Sequence, residues 1–289
     1  MKRIGSAAYD RFSVRTKKRK GKVIRMKIGC IGLGNMASAI LSGIVSKGMV
    51  CPEEILGFDK LEAAGAKAVE RFGIRLAGNN RQVAEESDLL FLAVKPQFFP
   101  EVLTEIGSLV RPETVIISIA AGKSIAYLEA GFSGEHKIIR CMPNTPALVG
   151  EGCTGVCCNE HVTEDEMEQV LQLLNCFGKA YRVTESMMDA VVAVSGSSPA
   201  YVFLLIEAMA DGAVQAGMPR AQAYEFAAQA VLGSAKMVLE AGKHPAELKD
   251  MVCSPAGTTI EAVKVLEEKG FRAAVMDAME ACVERNRQL

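Results

Sequence analysis

The chain of 289 residues has no tryptophan, only three histidines, and no Cys-x-x-C pair among its nine cysteines. So few imidazoles and no paired thiols leave nothing with the spacing of a zinc site, and no metal centre is expected. The cysteine count is odd and the positions are scattered, which excludes a disulfide framework. Most of them stand inside apolar runs, where a free thiol behaves as a small buried hydrophobe. That usage fits a reducing cytoplasm, the expected location. Residues 1–25 contain no apolar run, so a secretory signal is lacking. Neither half shows a Ser-His-Asp or paired-carboxylate constellation, which argues against a hydrolase.

A net charge of −1 gives no pointer to nucleic acid, yet it hides an asymmetry. Residues 1–25 hold ten Lys/Arg against one acid, Asp10, so 26–289 carries 23 basic and 33 acidic residues, about −10. The basic tail has three readings. It could bind an anionic surface or nucleic acid, or be a transit peptide, being basic and poor in acids. The third, a leader ahead of a natural start at Met26, is the expectation, because Lys27-Ile28-Gly29-Cys30-Ile31 begins a strand at once. The tail is expected to be disordered and dispensable.

Between 27 and 119, short apolar runs alternate with helical patterns. Strands are predicted over Lys27–Ile31, Glu54–Phe58, Asp88–Val94 and Thr114–Ile119, and helices over Asn35–Lys47 and Lys60–Phe72. Unbroken apolar strands alternating with helices mean a parallel sheet covered on both faces. Lys137–Cys141, Cys153–Cys158 and Lys179–Val183 extend it. After about 186 only helices are predicted: Pro199–Ala216, Arg220–Gly242, Ala246–Val252, Thr258–Glu268 and Phe271–Arg287. In the first, Tyr201, Leu204, Leu205, Ala208 and Met209 share a face, and Glu207, Asp211 and Gln215 form one narrow polar stripe. A helix that apolar must be buried on nearly every side. Mid-segment Glu207 and Asp211 argue against a membrane span, which leaves a second copy of the chain to cover it.

Gly32-Leu33-Gly34-Asn35-Met36-Ala37 is G-x-G-x-x-A between a strand and a helix. Gly32 permits the tight turn, Gly34 lets a pyrophosphate reach the backbone, Ala37 lets helix and strand pack closely, and the helix start offers N–H groups and a positive dipole end. This predicts a Rossmann-type doubly wound sheet that binds a dinucleotide. Asp59, at the end of the second strand, stands where an acid takes the ribose hydroxyls and repels a 2′-phosphate, which points to NAD. It could equally cap the next helix. Lys60 could offset the charge and tolerate NADP, although a neighbour on a strand is expected to point the other way. Ala93-Val94-Lys95-Pro96 and Ala120-Ala121-Gly122 end strands on the cofactor edge of the sheet. Lys95 would meet the cofactor or a substrate carboxylate, and the small residues leave room for a nicotinamide.

Two helix starts in the second half are well marked. Ser198-Pro199 reads as an N-cap with proline at the first helical position. In Ser254-Pro255-Ala256-Gly257-Thr258-Thr259-Ile260-Glu261, Thr258 and Glu261 read as a capping box. Each could be only a good cap. Together they also make a receptor for a small carboxylate. A reductase asks little acid–base chemistry of the protein, since the cofactor carries the reaction.

Met-Pro-Asn-Thr-Pro at 142–146, Ser-Gly-Ser-Ser-Pro-Ala-Tyr at 195–201, Gly-Met-Pro-Arg at 217–220, Lys-Asp-Met-Val-Cys-Ser-Pro-Ala-Gly-Thr-Thr at 249–259 and Glu-Lys-Gly-Phe-Arg at 268–272 resemble pyrroline-5-carboxylate reductases. The resemblance covers about 27–287. It implies a dinucleotide domain over 26–186, an all-α substrate-binding and dimerisation domain over 187–289, and hydride transfer from NADP or NAD, in reduced form, to a cyclic imino acid. It also implies a homodimer whose sites draw on both chains, with further assembly into rings such as decamers. Carried over by position, cofactor contacts fall on Ile31, Gly32, Leu33, Gly34, Asn35, Met36, Asn80, Ala93, Val94, Lys95, Pro96, Ala120, Ala121 and Gly122. Substrate contacts fall on Gly257, Thr258 and Thr259, with Thr259 placed to relay a proton to the ring nitrogen. Ala256 departs from the family's Gly-Gly before the threonine. Asp59 departs from the small hydroxylic residue of NADP-preferring members. Two alternatives differ. Another two-domain reductase would call for a lysine on the first helical segment after the boundary, and 186–217 contains none. A cofactor-binding scaffold would show no turnover.

Overall fold

A computed structural model describes residues 26–288; the basic tail lies outside them. The order is β1 (Ile28–Ile31), α1 (Asn35–Ser46), β2 (Ile55–Phe58), α2 (Glu62–Phe72), β3 (Arg75–Leu76), α3 (Asn80–Glu86), β4 (Leu89–Leu92), α4 (Phe99–Ile106), β5 (Val115–Ser118), α5 (Ile125–Glu129), β6 (Lys137–Met142), β7 (Gly152–Cys158), α6 (Glu164–Leu174) and β8 (Gly178–Arg182). The strands form one sheet, β3-β2-β1-β4-β5-β6-β7-β8, parallel except at β6–β7. Every residue of β1, β4 and β5 is buried. Alternation explains this: Ile28, Leu89 and Phe91 pack into one core and Ile31, Leu90 and Leu92 into the other, on opposite faces of the sheet. The predicted strands all form, with ends shifted by a residue or two.

Helices alone follow: α7 (Met188–Val191), α8 (Ser198–Gln215), α9 (Arg220–Glu240), α10 (Pro245–Val252), α11 (Thr258–Glu268) and α12 (Phe271–Asn286). A π-turn, Val192–Gly196, joins α7 to α8. Ser198 is therefore no N-cap. The chain is already helical before it, and its hydroxyl donates back to the Val194 carbonyl at 2.7 Å. The run Glu185–Gln215 is long and apolar enough to cross a membrane by length and composition. Within one chain the apolar face of α8 is bare: Ala210 alone is buried there, and Phe203 and Leu204 are 63% and 67% exposed. The single chain thus leaves this helix uncovered, as expected of one that a second copy covers. Exposed apolar side chains continue along α9 and α12, at Phe226, Leu232, Leu239 and Met276. So much contiguous apolar surface marks a protein interface.

The last helix folds back to the start of the helical part. Asp189 on α7 accepts from Asn286 Nδ2 at 2.9 Å and from Arg287 Nε at 2.8 Å. The Arg287 guanidinium holds its carboxyl below the usual value. A second tie is Asn144, in the turn after β6. Its amide donates to the Ser195 carbonyl in the π-turn at 3.0 Å, and its oxygen accepts from the Cys153 N–H of β7 at 2.8 Å. Asn144 and Ser195 are both buried, 7% and 8% exposed, so water does not readily replace the first of these bonds. Asn144→Leu is expected to destabilise the fold by about 1–4 kcal/mol, since a buried carbonyl and a part-buried N–H lose their partner. Denaturant unfolding at fixed protein concentration checks this; a change within about 0.5 kcal/mol would refute the clasp.

Candidate functional site

β1 pairs with β2 on one side and β4 on the other. The strand order therefore reverses at β1, and a crevice opens beyond the carboxyl ends of β1 and β4, where open α/β sheets take ligands. A cleft of about 400 Å³ lies there. Gly32, Gly34, Asp59, Asn80, Ala93, Val94 and Lys95 line it, which brings together seven of the predicted cofactor residues from four separate loops.

Local sterics explain the glycines. Gly32 has φ +92°, and a Cβ there would lie 2.8 Å from the Ala93 backbone, so only glycine lets the two loops close. At Gly34 a Cβ would meet no atom within 4 Å: the space beside it belongs to the cleft. Gly34 is also the N-cap of α1, with no side-chain cap and no acid in the first turn. The first N–H groups of a twelve-residue helix are thus left for an anion. Asn35 and Met36 form that turn. Ile31 and Leu33 are buried behind the cleft rather than lining it.

Asp59 has a bracing role that neither prediction named. Its carboxylate accepts from the Leu33 N–H at 2.7 Å and from the Leu61 N–H at 2.9 Å. It braces the glycine turn and starts the approach to α2, whose N-cap is Leu61 rather than Asp59. The expected outward direction of Lys60 is corrected. β2 ends at Phe58, so strand alternation no longer applies, and Lys60 lines the same cleft as Asp59. Its ammonium pairs with Glu101 of α4. Asn80 is buried and its amide donates to Glu105 at 2.7 Å. Burial first, then the Asp59 charge, pushes the Cys30 thiol under the turn up to about 12. It stays protonated, and its Sγ donates to the Gly32 carbonyl at 3.2 Å.

Pro96 opens a 3₁₀ turn, Pro96–Phe98, at the cleft edge. Ala120, Ala121 and Gly122 follow β5 on the same edge of the sheet but do not line the cleft, nor do Gly257, Thr258 and Thr259. The last three begin α11, where the capping box does not form. Gly257 is the N-cap, with extended backbone (φ −82°, ψ 169°), and the start has no side-chain cap. Thr258 is already inside the helix and Glu261 lies four residues past the cap, too far along for the reciprocal bond. Before it, Gly257 N–H closes on the Ser254 carbonyl at 3.0 Å. Pro255 and Ala256 are the central pair, and Ala256 takes φ +56°. That is the position of a type II turn where glycine is favoured, the physical content of the Ala256 departure. Thr258 is exposed and Thr259 half-buried.

Sequence reasoning missed Leu61, Phe98, Glu101 and Val102 as cleft residues. α4 carried no local signal for the site, and only the sheet order brings it there. No group of three or more His, Cys, Asp or Glu among the described residues could hold a metal ion.

Known proteins carry the same two parts. Residues 185–289 match the family model described as pyrroline-5-carboxylate reductase dimerisation, and 27–122 match one described as NADP oxidoreductase, coenzyme F420-dependent. Pyrroline-5-carboxylate reductase of Escherichia coli (strain K12) is 54% identical over 263 residues, 91% of this chain and 98% of that protein. Pyrroline-5-carboxylate reductase 2 of Homo sapiens is 40% identical over 268 residues, 91% of this chain and 84% of that protein. Among solved structures, the Plasmodium falciparum pyrroline carboxylate reductase with NADP bound has TM-score 0.83 at 32% identity, covering 91% of this chain and 97% of that one. The Coxiella burnetii enzyme has TM-score 0.84 at 34%, covering 92% and 98%.

Proposed function

The chain belongs to the pyrroline-5-carboxylate reductase family, and we propose on that footing a two-part site in which the imine of 1-pyrroline-5-carboxylate is reduced to proline. The observation that carries the reading is the uncapped start of α1 at Gly34, open to a cleft at the switch point of the sheet. The fit is physical: a glycine turn without Cβ atoms and free helix N–H groups suit a pyrophosphate. NAD(P)H supplies the hydride when bound. Gly32, Gly34, Asn35 and Met36 would hold its phosphates, Asp59 the adenosine ribose, and Val94, Lys95 and Ala120 to Gly122 the nicotinamide end. The uncapped turn at Gly257–Thr259 would take the substrate carboxylate, and Thr259 would hold the proton destined for the ring nitrogen.

The division at 186 is supported by the last strand ending at Arg182 and by the dimerisation match beginning at 185. The chain is an oligomer-forming reductase acting on a small molecule. We further read each site as shared: since Gly257–Thr259 do not line the cleft of their own chain, a second copy seated on the bare faces of α8 and α9 would deliver them. Assembly of dimers into rings, action in the cytoplasm, and the lack of a nucleic-acid or membrane partner belong to the same reading.

Mixing the chain with pyrroline-5-carboxylate and NADH or NADPH should lower absorbance at 340 nm with stoichiometric proline. Unchanged absorbance with both would leave a cofactor-binding scaffold. NADH should be used well, with NADPH at lower or comparable efficiency, because the fixed Asp59 charge opposes a 2′-phosphate by about 1–4 kcal/mol at surface-like dielectric. Asp59→Asn keeps an acceptor for the loop and removes the charge. It should shift the kcat/KM ratio toward NADPH by about tenfold, chiefly through KM; an unmoved ratio would leave Asp59 only its bracing role.

A further inference from the structure

The cofactor cleft is lined by two acids, Asp59 and Glu101, and two bases, Lys60 and Lys95. Asp59 cannot swing aside, because both carboxylate oxygens are held by backbone N–H groups at 2.7 and 2.9 Å. Lys60 is held differently. Its ammonium donates to the Glu101 carboxylate, and the two side chains are 63% and 60% exposed. An exposed pair of this kind is weak and readily exchanged. A 2′-phosphate entering beside Asp59 would find a cation at hand, already engaged by a second carboxylate.

We propose that Glu101 is a specificity-determining residue of this cleft: it sequesters Lys60 in an ion pair and thereby withholds that cation from the 2′-phosphate of a phosphorylated dinucleotide. Asp59 supplies fixed repulsion and Glu101 a removable latch. With Lys60 latched, the adenosine end favours a ribose with free hydroxyls. With Lys60 released, the same end accepts the phosphate. An adjacent carboxylate and ammonium on one loop are thereby given opposite effects, and the balance lies with a residue 41 positions away in sequence. The inference rests on the cleft being the dinucleotide site, as proposed above.

The test measures NAD⁺ and NADP⁺ affinity by titration calorimetry on the full-length oligomer, alongside kcat/KM with NADH and NADPH. Glu101→Gln should raise the NADP⁺ to NAD⁺ affinity ratio by about 5- to 20-fold, a local charge effect of ordinary size. In Glu101→Gln/Lys60→Gln the gain should vanish, because no ammonium is left to release. An unmoved ratio in Glu101→Gln overturns the proposal. So does a gain that survives in the double variant, which would make Glu101 a second source of repulsion and no latch. Gly34→Val separates the underlying reading: if it leaves both affinities as in the wild type, the cleft is not the dinucleotide site and both proposals fall together.

Discussion

Gly34→Val is expected to lower kcat/KM for NADH and NADPH alike by about 100-fold or more, at least ~2.7 kcal/mol of transition-state stabilisation, while the melting temperature hardly moves. Two structural facts separate activity from folding here. A Cβ at Gly34 meets no protein atom within 4 Å, so the valine clashes with nothing in the chain. Its backbone, φ −71° and ψ −166°, is one that any residue adopts. The added side chain instead fills the approach to the first N–H groups of α1, where a pyrophosphate must come within hydrogen-bonding distance. Gly32 would be the poorer choice, because φ +92° and the Ala93 backbone at 2.8 Å would damage the turn itself. Steady-state kinetics with a thermal melt decides the matter. Normal turnover with valine at 34 would remove the phosphates from this helix start.

Thr259→Val should lower kcat/KM by about 10- to 1000-fold, or ~1.4–4 kcal/mol, mostly in kcat. The hydroxyl sits in the first turn of an eleven-residue helix with no side-chain cap, next to N–H groups suited to a carboxylate. Valine keeps its shape, and the capping box that would have given the neighbouring Thr258 a structural role does not form. The loss should therefore appear in chemistry and not in stability. Thr258→Val makes the comparison, since Thr258 shares the turn without the proton role. Equal losses at both positions would point to carboxylate binding by the turn as a whole. Near-normal turnover in Thr259→Val would leave solvent as the proton source.

What could be read from the residues was whatever short-range sterics encode. The G-x-G-x-x-A turn was legible because a positive φ and the Ala93 backbone require glycine at 32, and the proposed phosphate approach calls for it at 34. The central strands β1 and β4 were legible because burial on both faces leaves them without a charged or hydroxyl side chain, and α11 was bounded at the right residues. Failures came where a distant contact decides. Ser198 looked like a cap, but the π-turn before it, clasped by Asn144 from 51 positions away, keeps the chain helical through it. Thr258 and Glu261 had the spacing of a capping box, yet Ala256 at φ +56° advances the helix start to Gly257. Lys60 faces the cleft because β2 ends two residues earlier and Glu101 draws it across. The two-residue β3 has too little pattern to be seen at all.

The two variants also test the shared site. Gly34→Val disables the cleft and Thr259→Val the substrate turn, so each homodimer alone should be nearly inactive. If the cleft of one chain works with Thr259 of the other, a mixed dimer carries one site with both defects and one with neither. Equal amounts of the two, unfolded and reassembled together, give about half mixed dimers by random pairing. The mixture should then recover about a quarter of wild-type activity with pyrroline-5-carboxylate and NADH. If cleft and turn of one chain form the site, every site in the mixed dimer carries one defect, and activity stays at the level of the parents. That second result would contradict the account.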